Sequence, residues 1–425
     1  MKINALLDVN LVAHETEDEV AVLLELEAPP AVADEARPQA SFQVVLDRSG
    51  SMDGAPLEGA KQALVALVRR LEPTDNFGLV TFENEAQVVV PAGPLTDKEA
   101  TIERIMAVRT GGMTDLGAGV LRGLRELRRV VGESGGTVLV VSDGHVNSGI
   151  KSADEFATLA AKAYAEGIVT STLGYGRGYD ETLLAAIARS GNGNHVFADN
   201  PDAAGAAIAG EVDGLLSKTV QGAALTIRFE PAVEMLRLYN DLPAQQIGDG
   251  TVMVELGDLF AAESRKLLLK FRVPALASLG LAHIATLELA YVELPALVEQ
   301  TVSLPINVNV VPGDEAAARV PHPTVHSEVL FQEAQDAKRQ ASEAFERGDV
   351  QEGRKHLRET KHQLGLALEG APADVASGIR ADLDEVDGLD VSVQAMGSAY
   401  ASKMSRESYH RGNRKRGRTP RPDAS

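Results

Sequence analysis

The chain has 425 residues, which at roughly 150 residues per domain predicts about three domains. Its 44% apolar and 24% charged residues are typical of soluble globular proteins, so the composition excludes a membrane bundle, a collagen and a fully disordered chain. The 61 acidic and 41 basic side chains give a net charge of −20, and the absence of cysteine excludes disulfide frameworks, cysteine-ligated metal centres and a thiol nucleophile.

Neither a secretory segment nor a membrane span is predicted. Asp8 and Asn10 interrupt the short apolar run near the start, so it lacks the hydrophobic region of a signal peptide. No later stretch reaches the about 18 consecutive apolar residues that a membrane span requires. We therefore expect a cytoplasmic protein.

The N-terminal residues 1–38 are predicted to form a β-hairpin followed by a proline-rich linker. Apolar runs at 3–12 and 20–28 flank the polar stretch 14–19, which suits the turn of a hairpin. We expect this hairpin to belong to a β-sandwich formed by residues further along the chain.

Residues 39–217 alternate between apolar, β-branched strands and helices, which predicts an α/β domain with a doubly wound, mostly parallel, Rossmann-like sheet. In such a sheet the ligand site is expected outside the carboxyl ends of the strands. The predicted strands are 42–47, 76–82, 87–90, 136–143, 168–176 and 195–198, and the predicted helices are 57–71, 97–108, 115–131, 153–167, 181–191 and 202–217.

Residues 218–312 are short β-rich runs broken by Gly, Pro and Asp, a pattern typical of an antiparallel β-sandwich. With the N-terminal hairpin as part of it, the α/β domain would be inserted in or beside this sandwich. Residues 323–402 are predicted to form a helical C-terminal domain. Its first two helices meet at Gly348 and Asp349 in a hairpin that resembles one tetratricopeptide-like unit and suits a packing cap on the sandwich equally well.

Residues 403–425 form a basic tail with a local net charge of +6, against −26 for the rest of the chain. We expect this tail to be disordered and to serve solubility or tethering. Tyr409 is its single aromatic residue, and the acidic body repels nucleic acid. Nucleic-acid binding through the tail is therefore a disfavoured alternative.

Oxygen-bearing side chains follow three of the predicted parallel strands. Asp47, Ser49 and Ser51 follow the first strand, Thr114 lies in a later loop, and Asp143 ends the strand 136–143. Carboxylates and hydroxyls are hard ligands of the kind that Mg²⁺ prefers. A single D-x-S-x-S run also occurs where Asp makes an Asx turn or caps a helix, but three separate pieces at three strand ends point to a metal site.

The pieces DRSGSM, TGGMTD and SDG resemble the metal-ion-dependent adhesion site of von Willebrand factor A domains. The resemblance implies that Ser49, Ser51 and Thr114 contact Mg²⁺ directly, with Mn²⁺ or Ca²⁺ as other possible ions. It implies that Asp47 and Asp143 act largely through bound water, and that an open position accepts a carboxylate from a partner. We expect specificity to be set by a rim formed by Met52, Met113 and His145.

The segment VELGDLFAAESRKLLLKFRVP (254–274) is similar to the region that follows the A domain in inter-α-trypsin inhibitor heavy chains, in bacterial calcium-activated-chloride-channel-like proteins and in plant A-domain ubiquitin ligases. Those relatives place a β-sandwich beside the A domain. The RING finger of the plant ligases is excluded here because the chain has no cysteine.

The leading hypothesis is therefore a non-enzymatic protein-interaction module that binds an Asp or Glu of an unidentified protein through a divalent metal. The alternative is a metal-dependent hydrolase that uses the same oxygen cluster, with His145 or the two aspartates as the base.

Overall fold

A computed structural model describes most of the chain as two compact units. The α/β unit consists of Ala31–Gly222 with Leu294–Leu297. The split unit consists of Met1–Pro30, Ala223–Glu293 and Val298–Ser425, so its residues lie on both sides of the α/β unit in the sequence. The residues described are all except 32–36, 144–145, 147, 176–179, 199, 241 and 414–425.

The strands are numbered in chain order. They are β1 (Lys2–Leu7), β2 (Leu11–Ala13), β3 (Asp18–Glu27), β4 (Ser41–Asp47), β5 (Asn76–Phe82), β6 (Ala86–Pro94), β7 (Gly136–Ser142), β8 (Ile168–Tyr175), β9 (Asn192–Ala198), β10 (Lys218–Phe229), β11 (Glu234–Leu238), β12 (Ala244–Gly248), β13 (Thr251–Phe260), β14 (Ser264–Val273), β15 (Gly280–Glu293) and β16 (Val298–Val311).

The α-helices are numbered in the same way, and a short 3₁₀ turn, Gly50–Met52, precedes the first of them. They are α1 (Ala55–Arg70), α2 (Lys98–Met106), α3 (Leu116–Leu127), α4 (Ala153–Ala165), α5 (Glu181–Ser190), α6 (Pro201–Leu216), α7 (Gly313–Ala317), α8 (Pro323–Glu346), α9 (Val350–Gly370), α10 (Ala373–Met396) and α11 (Ser398–Asn413).

The α/β unit is built on a six-stranded sheet in the order β6-β5-β4-β7-β8-β9. Five strands are parallel, and the edge strand β6 is antiparallel to β5. The strand order reverses between β4 and β7, which is where a doubly wound sheet opens a crevice at its carboxyl edge. The predicted α/β fold class is confirmed.

Both faces of this sheet are covered by helices, because its central strands are apolar on both sides. Val44 and Leu46 face one core together with residues of α1 and α6. Val45 points the opposite way, into a second core with residues of α3, α4 and α5. The alternation of side chains along β4 thus fixes which helices lie on each face.

The split unit contains two sheets, in the orders β1-β3-β14-β11 and β12-β13-β10-β15-β16-β2. The predicted N-terminal hairpin is present as the antiparallel pair β1 and β3, but β2 leaves it and pairs in parallel with β16 of the other sheet. Asp8 ends the first ladder, since its carboxylate accepts the backbone N–H groups of Val9 and Ala21 at 2.7 and 2.8 Å.

Helices α8 to α11 pack in a cycle, with α8 against α9, α9 against α10, α10 against α11 and α11 against α8. Gly348 has φ of +79°, and Asp349 caps α9 by accepting the N–H of Glu352 at 3.0 Å. Val325 of α8 packs with Leu23 and Leu268 of the four-stranded sheet. This contact is what the packing-cap interpretation of the helical hairpin predicts.

The predicted boundary of the disordered tail is wrong in part. Residues 403–413 belong to α11, whereas residues 414–425 lie outside the described part of the chain. Helix α11 forms because Ala401, Ser402 and Ser405 pack in its buried face. The basic composition of the segment gave no signal of this small-residue face.

Candidate metal-binding site

Asp47 is the last residue of β4 and is completely buried. Its Oδ1 accepts the N–H of Ser49 at 2.8 Å, which is the Asx-turn contact that a D-x-S-x-S run makes without any metal. Its Oδ2 accepts the hydroxyl of Ser142 at 2.6 Å, from the end of the neighbouring strand β7. The carboxylate therefore joins the ends of the two central strands.

The hydroxyls of Ser49 and Ser51 lie together just beyond Asp47. Their Oγ atoms are 3.1 Å apart, with Ser49 buried and Ser51 exposed to solvent. The 3₁₀ turn Gly50–Met52 curls the backbone so that these two side chains point to the same place. Two neutral oxygen donors thus stand beside a buried carboxylate.

Thr114 lies in the loop between α2 and α3, residues 107–115, which we call the threonine loop. It is buried, and its carbonyl accepts the N–H of Ser148 at 3.2 Å. The threonine loop contacts residues 48–54, which we call the serine loop, because the N–H of Gly50 donates to the carbonyl of Gly112 at 3.1 Å. The threonine loop and the serine loop are therefore hydrogen-bonded neighbours at the carboxyl edge of the sheet.

Asp143 directly follows β7 and is 7% exposed. Burial, with a smaller contribution from the negative charge of Asp143, raises the pKa of the Asp47 carboxyl to about 6, although hydrogen bonds from Ser142 and Ser49 oppose the shift. Among the described residues, no lysine, arginine or histidine forms an ion pair with Asp47. Within the described part of the chain, this buried carboxylate beside a second carboxylate therefore has no ion-pair partner.

The donor set fits a hard divalent cation. The loops at this edge carry two carboxylates and three hydroxyls, and a bound cation would relieve the cost of the buried negative charge of Asp47. In the described part of the chain, no group of three or more His, Asp or Glu side chains forms a metal site. Any cation at this edge would therefore be held by carboxylates together with hydroxyls.

The structure describes two of the three predicted rim residues. Met113 is 56% exposed and precedes Thr114 in the chain. Met52 is a correction, because it is 0% exposed and packs in the core with Leu46 and Leu57. The 3₁₀ turn directs its side chain inward, which its position after Ser51 did not reveal. His145 lies outside the described residues.

Three further residues that the sequence analysis did not single out contact the site loops. Ser142 holds Asp47, while Glu83 and Asn84, just after β5, accept backbone N–H groups of the threonine loop. The signal for Ser142 was its place beside Asp143 at a strand end. Glu83 and Asn84 gave no signal, since their role depends on a loop far away in sequence.

No helix among the described residues is long and apolar enough to cross a membrane. The cytoplasmic location stays a prediction from the sequence.

Comparison with known proteins identifies the α/β unit. Residues 43–206 match the family model of the von Willebrand factor type A domain. An uncharacterized protein of Synechocystis sp. is 30% identical over 161 residues, which are 38% of each chain. Human inter-α-trypsin inhibitor heavy chain H3 is 27% identical over 164 residues, which are 36% of this chain and 18% of that one. The chain thus spans well under half the length of these relatives.

A solved structure, the von Willebrand factor type A protein from Catenulispora acidiphila, is similar in fold over most of the chain. The TM-score is 0.70 with 17% sequence identity, and the match covers 91% of this chain and 89% of that one. Such a level of identity speaks for the fold alone. The α/β unit therefore has the von Willebrand factor A fold, and the match to the family model lies within it.

Proposed function

We propose that this protein is a divalent-metal-dependent interaction module that binds an acidic residue of a partner protein at the carboxyl edge of the α/β sheet. A-type domains generally mediate protein–protein interaction, which supports the class of function. The metal dependence and the acidic ligand are inferred from the site itself.

The observation that carries the proposal is the buried carboxylate of Asp47, which forms no ion pair with any residue that the structure describes. An isolated buried charge is costly unless it is paired or coordinates a metal. Asp143 adds a second negative charge nearby, so the pair favours a cation over any neutral ligand. Mg²⁺ suits this set because it takes oxygen ligands and commonly keeps several waters, and Mn²⁺ and Ca²⁺ are the other ions to test.

In this proposal Ser49, Ser51 and Thr114 present hydroxyl oxygens to the cation, while Asp47 and Asp143 hold it by charge. When bound, the cation supplies a positive charge that a partner's carboxylate can reach from solvent. The exposed side chain of Met113 provides an apolar contact beside that point. A partner with an apolar residue next to its Asp or Glu would complement both features.

The first test is titration calorimetry of the full chain with MnCl₂ and MgCl₂. We expect the wild type to bind one ion and Asp47→Ala to lose measurable binding, because the substitution removes the buried carboxylate that joins β4 and β7. Asp53→Ala is a matched control, since it removes an exposed acidic side chain on the same loop, which accepts the hydroxyl of Thr110 at 2.9 Å. Equal ion affinity in Asp47→Ala and the wild type would contradict the proposal.

The second test is capture of partners from native extract with Mg²⁺ or with a chelator, using wild-type and Asp47→Ala protein as baits. Partners of the metal site are expected to be lost both in the chelator and with the variant. Turnover of p-nitrophenyl phosphate is measured in parallel. Mg²⁺-dependent turnover that disappears in Asp143→Ala would favour a metal-dependent hydrolase instead.

A further inference from the structure

The turn after β5 connects the two loops that carry the candidate ligands. The N–H of Arg48, next to Asp47, donates to the carbonyl of Phe82 at 3.0 Å. The N–H of Gly111 in the threonine loop donates to the carbonyl of Arg48 at 2.7 Å. Three backbone segments from distant parts of the chain are thus joined beside the site.

Glu83 lies at the centre of this junction. Its carboxylate accepts the N–H of Gly112 and pairs with the guanidinium of Arg48 at 2.9 Å, and its carbonyl accepts the N–H of Asp115 at 2.6 Å. Its neighbour Asn84 accepts the N–H of Met113 through Oδ1 at 3.0 Å. Thr114 is therefore flanked on both sides by backbone groups that Glu83 and Asn84 hold.

The close approach of these side chains depends on two glycines. A Cβ atom added at Gly111 would lie 2.0 Å from Oε2 of Glu83, and one added at Gly112 would lie 2.6 Å from Nδ2 of Asn84. The Glu83 and Asn84 side chains fill the space that a side chain at position 111 or 112 would need. The loop backbone therefore rests directly on these polar groups.

We propose that Glu83 is a positioning residue of the metal site, which fixes the threonine loop against the serine loop so that Thr114 stands beside Ser49 and Ser51. This inference rests on the proposed function, because it assigns Glu83 a part in metal binding. Glu83 does not bind the ion itself. It acts through the N–H groups of the loop and through Arg48, in the manner of the outer-shell partners that orient metal ligands.

The experiment measures Mn²⁺ affinity by calorimetry for the wild type, Glu83→Ala, Glu83→Gln and Glu85→Ala. Loss of an outer-shell partner typically weakens metal binding 10- to 100-fold, so we expect Glu83→Ala to weaken it by at least about 10-fold. Glu83→Gln keeps an acceptor oxygen for Gly112 and should recover most of the affinity. Glu85→Ala removes an equal charge from an exposed side chain of the same turn and should bind as the wild type does.

Amide hydrogen exchange of residues 110–115 in metal-free protein provides a readout that needs no ion. We expect faster exchange in Glu83→Ala and near-normal exchange in Glu83→Gln. Wild-type affinity and exchange in Glu83→Ala would overturn the inference while leaving the proposed function in place, and an equal loss in Glu85→Ala would also overturn it by showing a general charge effect. No Mn²⁺ binding by the wild type would overturn the proposed function and this inference with it.

Discussion

At the residue scale, the burial of the Asp47 carboxylate destabilises the folded state, whereas its negative charge suits a bound cation. Its carboxylate is buried next to Asp143, so the ionised form is disfavoured and its pKa is raised from 3.8 to about 6. Selection for stability alone does not favour a buried carboxylate that has hydrogen bonds but no opposite charge among the described residues. The conflict is resolved if a cation occupies the site, which makes the metal-free protein the state in which the cost can be measured.

The pH dependence of the metal-free protein follows from this shift. Between pH 3.8 and about 6 the folded state retains the Asp47 proton that the unfolded state has lost, so the free energy of unfolding falls as pH rises. The full shift corresponds to about 3 kcal/mol, and the contribution is constant above pH 6. In EDTA at pH 7 we therefore expect Asp47→Asn to be more stable than the wild type by about 2 kcal/mol, since the amide carries no charge.

Chemical denaturation of both proteins at pH 4 and pH 7 measures this difference. At pH 4 the two should be nearly equal, because Asp47 is then protonated in the folded wild type. Adding Mg²⁺ at pH 7 should stabilise the wild type and leave Asp47→Asn unchanged. A less stable Asp47→Asn protein at pH 7 in EDTA would show that its hydrogen bonds outweigh the burial of its charge.

At the element scale, α3 illustrates how the sheet brings the site loops together. Gly119 lies where α3 crosses the end of β5, and an added Cβ would meet the side chain of Phe82 at 2.6 to 3.0 Å. Phe82 is fully buried, and its carbonyl accepts the N–H of Arg48. The packing of α3 on β5 therefore fixes the position of Phe82, whose backbone is hydrogen-bonded to the start of the serine loop at Arg48.

We expect Gly119→Ala to lower the free energy of unfolding by about 1 to 2 kcal/mol, because overpacking a tight core typically costs about 1 to 3 kcal/mol and helix propensity returns only part of that. Gly205→Ala is the matched control, a helical glycine of the same unit whose Cβ meets no atom within 4 Å. It should be neutral or stabilising. Urea denaturation measures both, and equal effects of the two substitutions would contradict the packing argument.

At the scale of the whole molecule, the split unit depends on residues from both ends of the chain. Strand β3 lies between β1 and β14, and Val20, Val22 and Leu24 are completely buried. The two cores of the α/β unit, in contrast, consist only of residues between Phe42 and Leu216. The units therefore differ in how much of the sequence each one requires.

Deletion of residues 1–30 removes β1 and β3, so it should unfold the four-stranded sheet of the split unit and leave the α/β unit folded. Amide exchange is expected to be fast in β14 and to stay slow in β4 and β7. Lys2→Ala is the control, since it removes only an exposed ion pair with Glu27 and should change neither. Protected amides in β14 of the deletion variant would contradict the assignment of β3 to its core.

Local patterns in the sequence were sufficient to predict the α/β unit. Strands buried on both faces are continuous apolar runs, and the doubly wound topology requires their carboxyl ends to share one edge. The same reasoning predicts that Asp47, Ser49, Ser51 and Asp143 lie at that edge, and their part in metal binding stays a prediction. The same kind of pattern failed for Met52, because one turn of 3₁₀ helix reverses a side chain without changing the local composition.

The tertiary structure decided which distant segments meet. The parallel partner of β2 is β16, almost 300 residues later in the chain, and α11 forms on a face of small residues rather than an apolar stripe. Glu83 follows β5, and its carboxylate accepts an N–H of the threonine loop although 29 positions separate the two residues in the chain. The sequence by itself determined the elements and the chemistry of the candidate ligands, since both are local, while the contacts that hold the loops in place required the fold, since they join residues that no local pattern relates.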